Sequence, residues 1–318
     1  MRNTPAVRRR WLVSAICGLS VVAVGLLALY YIELTTVQRD YFLQRHGTLE
    51  DVIPQAQEIT ADDHILQNVS LVSSSGLTVD LRLMRPVDSG ERAHPTLLLI
   101  GGQRTGKRAV DLLERPGDLA FAAIDYPYDG PQRMPGFWQM AGALLDVQRA
   151  TIDTPPAVWL AVDWLIGQPW VDPQRIELVG ISFGVPFAAA AGAIDTRISR
   201  IWLIQGGADN TSWAEHNLRE KIASDFGRRT VAKLVLLFIY AESFDTLRWM
   251  REIAPRPIIV VSARDDERVR SGSALADVTP AETAEIIWTE GRHIRGSRRD
   301  ELQTLFDIFR DRLQSAPP

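Results

Sequence analysis

Apolar and polar positions divide the chain into four regimes. From Trp11 to Ile32, WLVSAICGLSVVAVGLLALYYI runs for 22 positions without a charged residue, and a helix needs roughly 20 such residues to cross the hydrocarbon core of a bilayer. Residues 33–64 are polar with scattered apolar positions and lack turn chemistry that would mark a compact unit, so they read as a stalk and lead-in. LQNVSLVS and LTVDLRLMRP then alternate apolar and polar residues around Ser74-Ser75-Gly76. That pattern predicts two half-buried antiparallel strands joined by a tight turn. From Thr96 the grammar changes to short, wholly apolar runs, TLLLI, AFAAID, IELVG, IWLI, PIIVV and EIIW, separated by longer helical stretches. Strands apolar throughout and alternating with helices predict an α/β fold whose mostly parallel sheet is covered by helices on both faces.

The flanks of the first segment give it a direction. Arg2, Arg8, Arg9 and Arg10 precede it, whereas the residues after it mix Glu33 and Asp40 with Arg39 and Arg45. The arginine excess predicts a cytoplasmic tail over 1–10, a transmembrane helix over 11–32 and a domain over 65–318 outside the cytoplasm. Trp11 at one end and Tyr30 with Tyr31 at the other suit the two membrane interfaces. A cleaved signal peptide is the competing reading, but the apolar run exceeds the ~7–15 residues usual for one, and Leu29 to Ile32 offer no A-x-A-like cleavage site. Cys17 is the only cysteine among 318 residues, which excludes an intrachain disulfide and a thiolate metal cluster. The length suits one α/β domain of about 250 residues with extensions. A net charge of -4 lacks the basic surplus expected of a nucleic-acid partner.

The third apolar run carries the sharpest motif. RIELVGISFGVPFAAAAGA sets a strand, then Gly180-Ile181-Ser182-Phe183-Gly184, then an alanine-rich helix. G-x-S-x-G in this context puts a serine on a strained strand-to-helix turn, where glycines avoid collisions that a Cβ would cause. A neutral hydroxyl attacks poorly until a histidine takes its proton, and that histidine needs an acid to orient it. Histidines stand at 46, 64, 94, 216 and 293. Three precede the serine and His216 follows no strand, so His293, just past the last strand in EIIWTEGRHIRG, is the candidate base. Asp265 and Asp266 end the preceding strand in RPIIVVSARDDERV, with Asp209 as a weaker third candidate.

A second motif competes. Gly101, Gly106 and Lys107 fit G-x-x-x-x-G-K, the loop that wraps nucleotide phosphates. Such a loop wants Ser or Thr after the lysine to hold magnesium, and Arg108 stands there instead. The same loop, following a central strand, can instead donate a backbone N–H to an oxyanion.

Over roughly residues 66–313 the chain resembles the α/β-hydrolase family, especially its dienelactone-hydrolase-like and prolyl-oligopeptidase-like branches. The resemblance rests on the leading hairpin, WVDPQRIELVGISFG, RPIIVVSARDDERV and EGRH. It implies Ser182 as nucleophile, His293 as general base, Asp266 as orienting acid, and the backbone N–H groups of Phe183 and of the Gly102/Gln103 turn as oxyanion hole. In the family the acid strand ends in a glycine, two residues, the acid, two more and a valine. Counting from Val269, or from Ala263 in the glycine position, gives Asp266. Ile100-Gly101-Gly102 replaces the usual His-Gly, and Val185-Pro186 stand where a further glycine is common. About 207–250 falls where such enzymes carry a helical cap, and its VAKLVLLFIY is apolar enough to cover a pocket or touch a membrane. Arg104, Lys107, Arg108, Arg292, Arg295, Arg298 and Arg299 form a basic rim. The expectation is a membrane-anchored serine hydrolase of an ester, thioester or amide, with carboxylic esters leading, a small-molecule or lipid-like acyl substrate, and no cofactor or metal. The alternatives are a nucleotide-binding protein with a degenerate phosphate loop, or an inactive binding protein on the same scaffold.

Overall fold

Five of the six apolar runs form strands buried on both faces of one sheet, and the sixth, EIIW, is its half-buried edge. The computed structural model describes residues 5–87, 92–102, 105–113, 117–130, 137–269 and 271–314. The expected hairpin is β3 (His64–Ser73) and β4 (Thr78–Pro86), after β1 (Leu49–Pro54) and β2 (Glu58–Ile59). The apolar runs follow as β5 (His94–Ile100), β6 (Ala120–Ile124), β7 (Val171–Ile181), β8 (Arg200–Ile204), β9 (Ile258–Ala263) and β10 (Glu285–Thr289). Their order is β1-β3-β4-β6-β5-β7-β8-β9-β10, with β2 paired to β3. All pairings from β6 through β10 are parallel, and those among β1 to β4, with β4–β6, are antiparallel. Register sets Ile100 opposite Gly180 and Gly180 opposite Leu203. The loops leaving β5, β7 and β8 therefore emerge side by side at the carboxyl edge, where open α/β sheets hold their sites.

Helices cover both faces. On one, α3 (Phe137–Ile166), α4 (Val185–Ile194) and α7 (Thr246–Ile253) bury Val158, Leu160, Ala189, Trp249 and Met250 against the sheet. On the other, α9 (Arg299–Gln314) and a 3-10 turn at Gly106–Leu112 bury Phe306, Phe309 and Val110 against Leu97, Leu99, Val179 and Val261. Between β8 and β9 the chain builds α5 (Asn210–Leu218), α6 (Asp225–Phe238), a 3-10 turn (Ala241–Phe244) and then α7; a short α8 (Leu275–Val278) follows β9. The segment expected as a cap thus ends inside the sheet-covering layer, since α7 packs against α4.

The polar stretch 33–64 is more than a stalk. α2 (Arg39–His46) inserts Phe42, fully buried, between the rings of Trp159 and Phe244 at centroid distances of 6.4 and 5.8 Å. β1 and β2 extend the sheet beyond β3. An edge strand with mostly exposed side chains, such as β1, leaves little hydrophobic pattern to find.

Before it lies α1 (Pro5–Thr35). Gly18–Thr35 is long and apolar enough to cross a membrane, and almost none of it packs against the domain. Its end is fastened: Leu34 is buried, and just beyond the helix the Gln38 N–H donates to Ser243 Oγ at 3.0 Å.

Candidate active site

Ser182 leaves β7 with φ +54°, a left-handed conformation that a serine adopts only under constraint. Its flanking glycines explain how the turn fits. A Cβ on Gly180 would lie 2.6 Å from that of Ala188, and one on Gly184 would run into the Ile100 carbonyl. Pro186 stands in the first turn of α4, where no backbone N–H is needed for the helix. The departure from glycine at 185–186 therefore costs the elbow nothing.

Three elements bring the polar chain together. His293, on the loop after β10, has Nε2 2.9 Å from Ser182 Oγ and Nδ1 2.8 Å from Asp266 Oδ2. The histidine and aspartate side chains are each 7% exposed. A carboxylate can only accept, so Nδ1 donates and Nε2 is left as the acceptor of the serine hydroxyl. Asp266 Oδ1 accepts from the N–H groups of Arg268 at 2.8 Å and Val269 at 3.2 Å, which fixes the carboxylate's plane. Its neighbour Asp265 is exposed and meets the Gly291 carbonyl through its backbone N–H. Asp209 caps α5, accepting from Thr211 and Ser212, and His216 Nε2 meets the Glu267 carbonyl at 3.1 Å.

Around His293 stand residues that the motifs did not single out. Gln205, 3% exposed at the end of β8 with φ +52°, accepts from the Ile294 N–H through Oε1 at 2.5 Å. Glu267 Oε2 accepts from the His293 N–H at 3.1 Å, and its Oε1 binds Arg295 at 2.7 Å and Arg298 at 2.9 Å. Arg298 also donates to the His293 carbonyl at 2.6 Å. Burial alone would raise the Glu267 carboxyl, but Arg298 and the backbone N–H groups outweigh it and hold it down to about 2. Arg295 and Arg298, read in sequence as rim, thus anchor the histidine loop. Glu267 directly follows the acid in sequence, the one local signal that was present.

The glycine-lysine loop is tied down differently. Lys107 Nζ pairs with Asp80 at 3.0 Å and Asp125 at 3.2 Å, and its N–H donates to Asp125 Oδ1 at 2.8 Å. Gly106, at φ +49°, allows the close approach of the Asp125 carboxylate. Burial would lower the lysine's pKa, yet the two carboxylates more than offset it and leave it raised. The lysine braces the ends of β4 and β6. Tyr126 Oη donates to the Gly101 carbonyl at 2.6 Å, steadying the start of the loop. Of the Gly102/Gln103 turn, expected to donate to an oxyanion, Gly102 is described, whereas Gln103 and Arg104 lie outside the described residues.

Beside Ser182 and His293 opens a cavity of ≈ 120 Å³ walled by Gly102, Leu112, Ile181, Ile294, Leu305 and Phe306. On the serine's other flank Phe183 packs among Tyr126, Phe187 and Trp213 of α5, at centroid distances of 5.5, 5.3 and 6.1 Å. Among the described residues no group of three or more His, Cys, Asp or Glu is placed to hold a metal ion.

No protein-family model matches the chain, and no curated protein matches it. Solved structures do. The acetyl xylan esterase from Paenibacillus sp. R4 aligns with a TM-score of 0.55 at 15% identity, over 86% of this chain and 95% of that one. Acetyl xylan esterase 1 from a Thermoanaerobacterium species aligns at 0.54 and 12% identity, over 87% and 93%. The 2,6-dihydroxy-pseudo-oxynicotine hydrolase aligns at 0.52 and 18% identity, over 80% and 70%. With this strand order and these neighbours, the chain has the α/β-hydrolase fold.

Proposed function

We propose that the protein is a membrane-anchored serine hydrolase of carboxylic esters that works through an acyl-enzyme on Ser182. The observation that carries this reading is the hydrogen-bonded line Ser182–His293–Asp266 ending on a serine of positive φ. In the first half-reaction Ser182 Oγ attacks the ester carbonyl carbon while His293 Nε2 takes its proton and Asp266 stabilises the imidazolium. The oxyanion is held by backbone N–H groups, with Phe183 as one donor and Gly102 or Gln103 as the other. As the tetrahedral intermediate collapses, His293 returns the proton to the leaving alkoxide. Water then repeats the sequence: His293 deprotonates it, it attacks the acyl carbon, and the carboxylic acid leaves as Ser182 regains its proton.

Esters are favoured over thioesters and amides because neighbours with this fold carry esterase names. The apolar cavity beside the serine takes the acyl group. Its ≈ 120 Å³ is close to the engineered cavity of ~150 Å³ that admits benzene, so short acyl chains fit and long ones do not. Turnover of p-nitrophenyl esters should fall as the chain lengthens beyond a few carbons and vanish in Ser182→Ala. Preference for long chains would reject the cavity as the acyl site.

The anchoring part rests on α1, whose exposed apolar length suits a bilayer, with the domain on the side opposite the arginine-rich tail. Retention in the membrane fraction through alkaline carbonate supports it. Release of a shortened soluble form would mean a cleaved signal.

A further inference from the structure

α6 carries a face that the domain leaves uncovered. Along Asp225–Phe238, Phe226, Thr230 and Leu234 fall on one line at four-residue spacing, with Val231 and Val235 on one side and Arg229 and Lys233 on the other. Phe226 is 83% exposed and Leu234 61%, with Val231 and Val235 exposed beside them. Beneath, Ala232 is buried and Arg228 turns to the carbonyls of Ile222 and Ala223 at 3.0 Å each. The helix is held from below with its apolar stripe outward. Single exposed apolar residues need no explanation, but Val231, Leu234 and Val235 side by side, with Phe226 two turns before and bases along one edge, mark a contact surface.

Its position indicates what covers it. The membrane-proximal end of α1 packs against α6 and against the turn that follows it. Gln38 and Ser243 hydrogen-bond there at 3.0 Å. Leu145, exposed on α3, lies one turn before Gln148, which donates to the Phe238 carbonyl at the carboxyl end of α6. The stripe therefore begins where the anchor leaves the domain. Apolar residues flanked by Arg and Lys are also the composition of helices that lie in a bilayer's headgroup zone.

We infer that α6 lies in the surface of the bilayer that α1 crosses, with Phe226 and Leu234 below the headgroups and Arg229 and Lys233 at the phosphates; this rests on the anchored reading of α1. The contact reaches the catalytic serine through one helix. α5 packs on α6, with Glu215 3.6 Å from Arg229. From α5, Trp213 meets Phe183, while His216 and Asn217 meet the carbonyls of Glu267 and Arg268. α5 thus lies between the lipid-facing helix and the flank of Ser182.

The lone cysteine makes the test direct. The full chain is reconstituted in phosphatidylcholine–phosphatidylglycerol vesicles with a nitroxide on native Cys17, or, in a Cys17→Ser background, on Phe226→Cys, Leu234→Cys or Glu282→Cys. All three introduced cysteines replace exposed residues. Collisions with oxygen report lipid, and collisions with a water-soluble nickel chelate report water. The inference expects labels at 17, 226 and 234 to have oxygen-to-nickel ratios several-fold above the label at 282. It is overturned, with the anchor intact, if 226 and 234 match 282 while 17 remains in lipid. If 17 is also in water, the anchor reading fails and the inference with it. Spin–spin broadening between labels at 234 would assign the face to a second copy and overturn the inference as well.

Discussion

Replacing Gln205 by leucine removes the group that pins the chain one residue beyond His293. Gln205 is 3% exposed, and its Oε1 is the 2.5 Å acceptor of the Ile294 N–H. Leucine fills nearly the same volume and leaves that N–H without an acceptor. An unpartnered buried donor costs about 1–3 kcal/mol. At about 2–4 °C per kcal/mol for a domain of this size, the melting temperature should fall by about 2–12 °C. The loosened loop carries the Nε2 that sits 2.9 Å from Ser182 Oγ. Misplacement of a catalytic group by an ångström costs on the order of 10²-fold, so kcat for a short p-nitrophenyl ester should fall roughly 10- to 100-fold. KM should rise as well, because Ile294, whose N–H Gln205 holds, is a wall of the cavity. Thermal melts and steady-state kinetics on the full chain in detergent measure both effects. A normal kcat with a lowered melting temperature would make Gln205 mere filling. A normal kcat with unchanged stability would mean that the Ile294 N–H does not depend on it.

Four further substitutions probe the other contacts. Asp266→Asn should lower turnover by roughly 10⁴-fold and Asp265→Asn by far less, because only the former carboxylate meets His293 Nδ1; equal losses would show the strand register to be off. Glu267 has a carboxyl held down to about 2, so its ion pairs stabilise the fold fully above the ordinary glutamate range and are lost as pH falls towards 2. With its side chain 32% exposed, screening limits this to about 1 kcal/mol, and Glu267→Gln should flatten the acid limb of stability by that amount in denaturant melts between pH 5 and 2. Lys107→Met should lower the melting temperature by stranding Asp80 and Asp125, and calorimetry with ATP should show no binding to either form; micromolar affinity lost in the variant would restore the nucleotide reading.

The strands at the centre of the sheet were legible because burial on both faces spells them as unbroken apolar runs. The elbow was legible because its backbone leaves room for little besides glycine at 180 and 184. The residues alone left Asp265 and Asp266 open, and the choice of Asp266 came from the spacing that the family resemblance supplied. Other features arise from contacts between distant segments and left no local trace. Phe42 is one aromatic in a polar stretch, and its importance lies in Trp159 and Phe244, far along the chain. Lys107 matched a phosphate-loop pattern by local spacing, whereas its partners are Asp80 on β4 and Asp125 just past β6. Gln205 reaches the His293 loop because β8, β9 and β10 lie side by side and end at the same edge, β8 two residues before the other two. α7, which follows α6 after the short turn Ala241–Phe244, lies partly within the segment expected as a cap yet packs against α4.

The central claim is that Ser182 is an activated nucleophile, and covalent labelling tests it most directly. The native full chain, treated with a fluorophosphonate and analysed by intact mass and peptide mapping, should carry one adduct, on Ser182. Ser182→Ala should carry none, and heat-denatured protein should fail to react. Equal labelling of the alanine variant, or native protein left unmodified, would contradict the account.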